Sequence, residues 1–100
     1  MIRLEDKDFH HHIKARMNQR GITKEEVELT INEGYDADDA KEGIYGKMLI
    51  FPYNDRWEGR FFEEKEVRVY YRLENDNFIL LTVKARYGSE FQRRHNEDRI

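Results

Sequence analysis

The spacing of apolar residues divides the chain into a helical opening and a strand-rich second half. Phe9, Ile13 and Met17 recur every four residues, one apolar stripe on a helix from about Asp8 to Arg20. Asp6 or Asp8 suits its N-cap, and residues 1–6 read as a short extended start. Thr23 and Glu26 have the spacing of a capping box, with Ile22 and Val27 placed as a hydrophobic staple. A second helix therefore starts at Lys24, and Gly21 suits the left-handed C′ position of the first. Val27 and Ile31 carry the apolar face onward, with Leu29 near its edge, and Gly34 supplies the stop after Glu33.

Beyond Gly34 the helical period disappears. Tyr35 to Gly46 reads as a polar loop, with a turn of helix around Asp38 to Lys41. Met48 to Phe51 is a short strand, and Pro52 confines its end to a sheet edge or a bulge. Asn54, Asp55 and Gly59 mark a loop holding Trp57, after which Arg60 to Glu63 extends again. The two strongest strands are Glu66 to Leu73 and Phe78 to Tyr87, joined through a Glu-Asn-Asp-Asn turn. Val67, Val69, Tyr71 and Leu73 share one face; Ile79, Leu81, Val83 and Ala85 share the matching face. Burying both sets requires Val69 opposite Val83 and Tyr71 opposite Leu81, because a one-residue slip exposes half the core. That register implies a three-residue loop, Asn75 to Asn77, with Asn77 left-handed. The expected fold class is α+β: two N-terminal helices packed on a three- to four-stranded antiparallel sheet. One domain fits 100 residues, with a helical hairpin over 8–33, the sheet over 47–87 and a charged tail over 92–100.

The same register dictates the opposite face. Tyr70 lies across from Thr82, Arg68 from Lys84 and Glu66 from Arg86. Arg68 and Lys84 are like charges placed directly opposite, which costs stability unless they splay into water or hold an anion between them. With Tyr70, Arg72, Thr82 and Arg86 around that pair, the anion reading is a phosphate-binding face suited to single-stranded RNA. The formal net charge of −3 argues against indiscriminate nucleic-acid binding. Its distribution says more. Glu25 to Glu42 is acidic, whereas Arg68, Arg72, Lys84, Arg86, Arg93 and Arg94 are basic, which suits a local anion site or head-to-tail self-association.

His12, Arg16 and Arg20 also recur every four residues, on the row beside the apolar stripe. This row is either a solvated flank or a set of donors facing an anion, with the histidine able to exchange a proton near neutral pH. His10, His11 and His12 as a run bind no metal well, since neighbouring helical positions point about 100° apart. The chain contains no cysteine, so thiolate zinc sites and disulfides are excluded. It has no phosphate-loop glycine pattern and no paired carboxylate spacing, so no metal or cofactor is expected. No apolar run reaches membrane-spanning length and the N-terminus has no signal-peptide core, so a cytoplasmic protein without membrane partners is the expectation. Charged residues are 39% of the chain, a balance that suits a heat-adapted source.

The pattern His-x-x-x-Arg-Met-x-x-Arg-Gly-Ile-Thr-x-x-Glu-Val, from His12 to Val27, resembles the opening of a small bacterial family, domain of unknown function 4258. Leu81-Thr82-Val83 resembles the segment that closes that family's strand region. The likeness covers residues 9 to 87, with the helical opening as its specific part. More distantly the family is similar to the barnase–colicin–RelE-type ribonuclease toxins, which set helices against a curved antiparallel sheet. His10 and His11 depart from the pattern, so identifying the family histidine as His12 rests on its spacing to Arg16 and Met17.

The resemblance implies an RNA endonuclease toxin with an antitoxin partner, and it points to His12, Arg16 and Thr82 as site residues. Strand register adds Lys84 to the catalytic set, and Arg20, Arg68, Tyr70, Arg86 and Tyr87 to the substrate-binding set. Such an enzyme deprotonates a 2′-hydroxyl, stabilises a charged phosphorane and protonates the leaving oxygen. His12 suits the proton transfers, and Arg16, Lys84 and Arg68 the charge stabilisation. Thr82 suits a phosphate oxygen, and Tyr70 or Tyr87 a stacked base. A non-catalytic RNA-binding module would need only the basic face, and a protein-interaction domain would need neither. The sequence pattern allows the first helix to lie beside the basic face or across the apolar one.

Overall fold

A computed structural model describes residues 1–91. The charged tail expected over 92–100, with Arg93, Arg94 and His95, lies outside the described residues. After a 3-10 turn over Asp6–Asp8 come α1 (His11–Arg20), α2 (Lys24–Glu33), β1 (Tyr35–Asp36), β2 (Tyr45–Trp57), β3 (Arg60–Glu74) and β4 (Asn77–Gly88). The strands form one antiparallel sheet in the order β1-β2-β3-β4, so the expected α+β arrangement is observed.

The turn between the helices forms as its local signals require. The Thr23 hydroxyl accepts from the Glu26 amide at 3.1 Å, and the Glu26 carboxylate accepts from the Thr23 amide at 3.0 Å. Ile22 and Val27 are both buried, completing the staple. Gly21 has φ 70° and donates its amide to the Met17 carbonyl.

The first helix starts later than its apolar spacing suggests. Glu5 and Asp8 close a separate capped turn, the chain is extended at His10, and α1 begins at His11 rather than Asp8. Neither Asp6 nor Asp8 is its N-cap. Phe9 nevertheless reaches the core beside Ile13 and Met17. Gly34 does end α2, but with φ −80° rather than in a left-handed cap. Its requirement is steric, because a Cβ there would collide with the carbonyl oxygens of Thr30 and Met48.

The strands are longer than their β-propensity indicates. β2 runs straight through Pro52, with an irregularity between Pro52 and Asp55, instead of ending there. Pro52 is tolerated because β1 pairs with β2 only at Lys47 and Met48, leaving the other side of Pro52 without a ladder. Trp57 ends the strand instead of sitting in a loop, and Glu58 and Gly59, both at positive φ, make the hairpin turn. The residues expected as polar loop begin with the two-residue strand β1, and no helical turn forms at Asp38 to Lys41.

On β3 and β4, Val69–Val83, Tyr70–Thr82, Arg68–Lys84 and Glu66–Arg86 pair as the alternation demands. The expected Tyr71–Leu81 pair does not form. Tyr71 faces Leu80, and Leu81 is an extra residue in a bulge. The hairpin closes through two residues, Asn75 and Asp76, both at positive φ, so the expected three-residue loop with a left-handed Asn77 is replaced by a tighter turn. The bulge absorbs the one-residue difference. It sends Leu80, rather than Leu81, into the core.

That core lies between the helices and one face of the sheet. Ile13, Met17, Ile22, Val27 and Ile31 meet Val67, Val69, Tyr71, Leu80 and Val83, all buried. The α1 helix packs along β4, and α2 over β2 and β3. Among the described residues no helix is long and apolar enough to cross a membrane.

Candidate functional site

The sheet face turned away from the helices carries the even-numbered residues of β3 and their β4 partners. Glu66 is its centre. Although only 3% exposed, its carboxylate takes Arg68 Nε at 3.1 Å on one oxygen and Arg86 Nη2 at 3.0 Å on the other. A buried carboxylate needs such partners to offset its desolvation. Arg68 also reaches Asp39 Oδ1 at 3.3 Å and Asp38 Oδ1 at 3.9 Å.

The like-charge opposition of Arg68 and Lys84 is relieved inside the molecule. Arg68 is drawn toward Glu66 and Asp39, while the Lys84 ammonium lies 5.0 Å above the Tyr70 ring. The carboxylates come partly from the acidic segment itself. The chain between β1 and β2 folds back over this face, with the Ala37 amide donating to the Gly46 carbonyl at 2.9 Å. Ala37 of that segment is buried, as are Gly46, Met48 and Tyr70 beneath it. A Cβ on Gly46 would stand 3.1 Å from Ala37, Ala40 and Tyr70, so glycine lets the segment close down.

Tyr70 donates its hydroxyl to Asp39 Oδ1 at 2.7 Å. That hydrogen bond lowers the Asp39 pKa below the ordinary aspartate value, while burial raises the tyrosine's. Beside this pair opens a hollow of about 280 Å³ lined by Asp39, Glu66, Arg68, Lys84, Ala85 and Arg86. Three cations face two carboxylates there. Lys84 forms no salt bridge among the described residues, although its charge acts on Asp39, and Asp38 adds a third carboxylate beside Arg68.

The residues singled out from the sequence fall into two groups. Arg68, Tyr70, Thr82, Lys84 and Arg86 share the face just described. Tyr70, at 6% exposure under the acidic segment, has no ring face open for a stacked base. His12, Arg16, Arg20 and Tyr87 belong to the helix side. His12 and Arg16 are exposed on α1, whose apolar stripe covers the opposite sheet face, and neither lines the hollow just described. The His12 ring lies 4.0 Å from that of His11. His10 instead points Nε2 at the Leu80 carbonyl at 3.3 Å, capping the bulge.

Arg20 and Tyr87 meet where the helices join the sheet. The Tyr87 hydroxyl donates to the Arg20 carbonyl at 2.6 Å, and its ring stacks on Trp57 at 5.0 Å. Burial pushes its pKa strongly upward. Between these rings and the helices sits Lys65, 2% exposed, donating to Glu26 Oε1 at 2.7 Å and to the Gly21 carbonyl. Glu66, Asp39 and Lys65 were not among the sequence candidates. Glu66 carried a signal, with Arg68 two residues away on its face and Arg86 across from it. Asp39 carried none, because its place depends on how the β1–β2 segment folds back. Among the described residues, no group of three or more His, Asp or Glu side chains is arranged to hold a metal ion.

Compared with known proteins, residues 9–84 match the family model described as "Domain of unknown function (DUF4258)". No curated protein and no solved structure matches the chain.

Proposed function

The chain belongs to the DUF4258 family, and from that premise and its own geometry we propose a metal-independent RNA endonuclease that holds the phosphate backbone on the sheet face away from the helices. The observation carrying this reading is buried Glu66 set between Arg68 and Arg86, with the Lys84 ammonium, which forms no salt bridge among the described residues, lining the same hollow. An entering phosphodiester competes for the guanidinium groups and leaves Glu66 to take the 2′-hydroxyl proton. Arg68 and Arg86 then face the charge that builds on the phosphorane, and Lys84 can protonate the leaving oxygen. Thr82, on the same face, offers a hydroxyl to the substrate. A toxin role fits this chemistry, with an antitoxin masking the cationic hollow.

This assigns proton transfer to Glu66 in place of His12, whose position on α1 separates it from the cationic hollow. A second reading, RNA binding without cleavage, draws on the full engagement of Glu66 by two arginines. The test is mixed RNA incubated in excess EDTA with wild type, Glu66→Gln, Lys84→Ala and His12→Ala, read by end-group analysis. The expected result is 2′,3′-cyclic phosphate ends, abolished in the first two variants and retained in His12→Ala. Salt-sensitive binding without products would favour the second reading. Loss confined to His12→Ala would move the chemistry to the helix side, and absence of both binding and cleavage would overturn both readings.

A further inference from the structure

We propose that the phosphate hollow continues into a nucleobase subsite, a deepening that rests on the phosphate reading above. Next to the cationic hollow lies a second one of about 210 Å³, formed where Ala40 and Ile44 of the folded-back segment approach Leu81 and Thr82 of β4. Asp39 and Lys84 line both hollows, so the two are contiguous. One end is cationic. The other combines the apolar Ala40, Ile44 and Leu81 and the edge of Tyr70 with the Thr82 hydroxyl, and carries Asp39 and Lys41 as charged groups.

The β4 bulge builds this second half. In a regular strand Leu81 and Thr82 would point to opposite faces. Because Tyr70 pairs with Thr82 and Tyr71 with Leu80, Leu81 is surplus to the ladder and lines the same hollow as Thr82. Bulges re-aim side chains in this way and are over-represented beside functional sites. The core is complete without Leu81, since Leu80 fills that place at 2% exposure. The half-buried Leu81 and Ile44 stand outside the helix-side core and face this hollow instead.

A free inorganic anion would use only the cationic end. A nucleotide uses both, with its phosphate among Arg68, Arg86 and Lys84 and the flat apolar face of its base against Ile44 and Leu81. The polar base edge then meets the Thr82 hydroxyl and the Asp39 carboxylate, whose Oδ1 already takes the Tyr70 hydroxyl. Recognition of a base by apolar contact and edge hydrogen bonds is the mode of single-stranded RNA binding.

The test titrates the intact protein at low salt with inorganic phosphate and with each of the four nucleoside 3′-monophosphates. At least one nucleotide should bind about tenfold or more tighter than phosphate, a difference of about 1.4 kcal/mol. That advantage should vanish in Ile44→Asn with phosphate affinity unchanged. In the wild type, which removes any dependence on variant folding, amide resonances of Ile44, Leu81 and Thr82 should move with nucleotide and stay still with phosphate. Equal affinity for phosphate and every nucleotide, with shifts confined to the cationic end, would overturn the subsite and leave the phosphate reading standing. Absence of phosphate binding altogether would remove the phosphate reading and this inference with it.

Discussion

Replacing Lys65 by alanine should be among the most destabilising single changes in this fold. Lys65 is 2% exposed and ties β3 to the turn between the helices. Its ammonium bonds the carboxylate that also caps α2 and the carbonyl that ends α1, and lies 5.6 Å from the Tyr53 and Tyr87 ring centres. Removing one member of a buried ion pair costs about 3–5 kcal/mol, because the other charge stays behind unpaired. The Glu26 side chain is 20% exposed and recovers some hydration, so the lower end, about 3 kcal/mol, applies. For a domain of this size that corresponds to a fall in Tm of about 12–24 °C. Thermal and urea unfolding followed by circular dichroism would measure it. A cycle with Lys65→Met, Glu26→Gln and the double variant isolates the pair itself. The double variant should recover part of the loss, with the Gly21 carbonyl still lacking its donor at about 1–3 kcal/mol. An alanine cost below about 1 kcal/mol, or strict additivity in the cycle, would refute the assignment of Lys65 as a buried tie.

Two further outcomes are expected. Gly21→Ala should cost about 2–4 kcal/mol in the same unfolding assays, combining a left-handed φ with overpacking, since its Cβ would stand 2.5 Å from the Trp57 ring. Burial raises the pKa values of Tyr53, Tyr70, Tyr71 and Tyr87, so the folded chain holds phenolic protons that the unfolded chain releases near pH 10. Their contribution is fully present below pH 10 and is lost as pH rises further, so Tm should fall steadily above pH 10, and more shallowly in Tyr87→Phe.

The cationic face has a balance that net charge alone conceals. Asp38 and Asp39 belong to the acidic half of the sequence, yet the β1–β2 segment returns them to Arg68 of β3. An anion entering this face would compete with carboxylates already in place, so the proposed reading favours a ligand that brings contacts beyond its charge.

Much of this was legible in the sequence because the signals were local or strictly periodic. The Thr23–Glu26 capping box, the Ile22–Val27 staple and Gly21 specify the helical turn through groups no more than a few residues apart. The two-residue period of β3 and β4 specified Val69 opposite Val83, and with it the juxtaposition of Arg68, Lys84, Glu66 and Arg86. A register slip there would have exposed the valines, so the hydrophobic effect leaves little freedom. Three decisions belonged to the tertiary structure. The α1 stripe had to cover Val69 and Val83, which carried the neighbouring His12 row to the helix side of the sheet. The β1–β2 segment closes over Tyr70 with Gly46, distant in sequence from that ring, leaving room for Ala37 and Ala40. The tight Asn75–Asp76 turn forced its one-residue mismatch into a bulge at Leu81. The first two depend on steric fit between segments remote along the chain, and the third on a trade between turn geometry and strand register; residue spacing within one segment records neither.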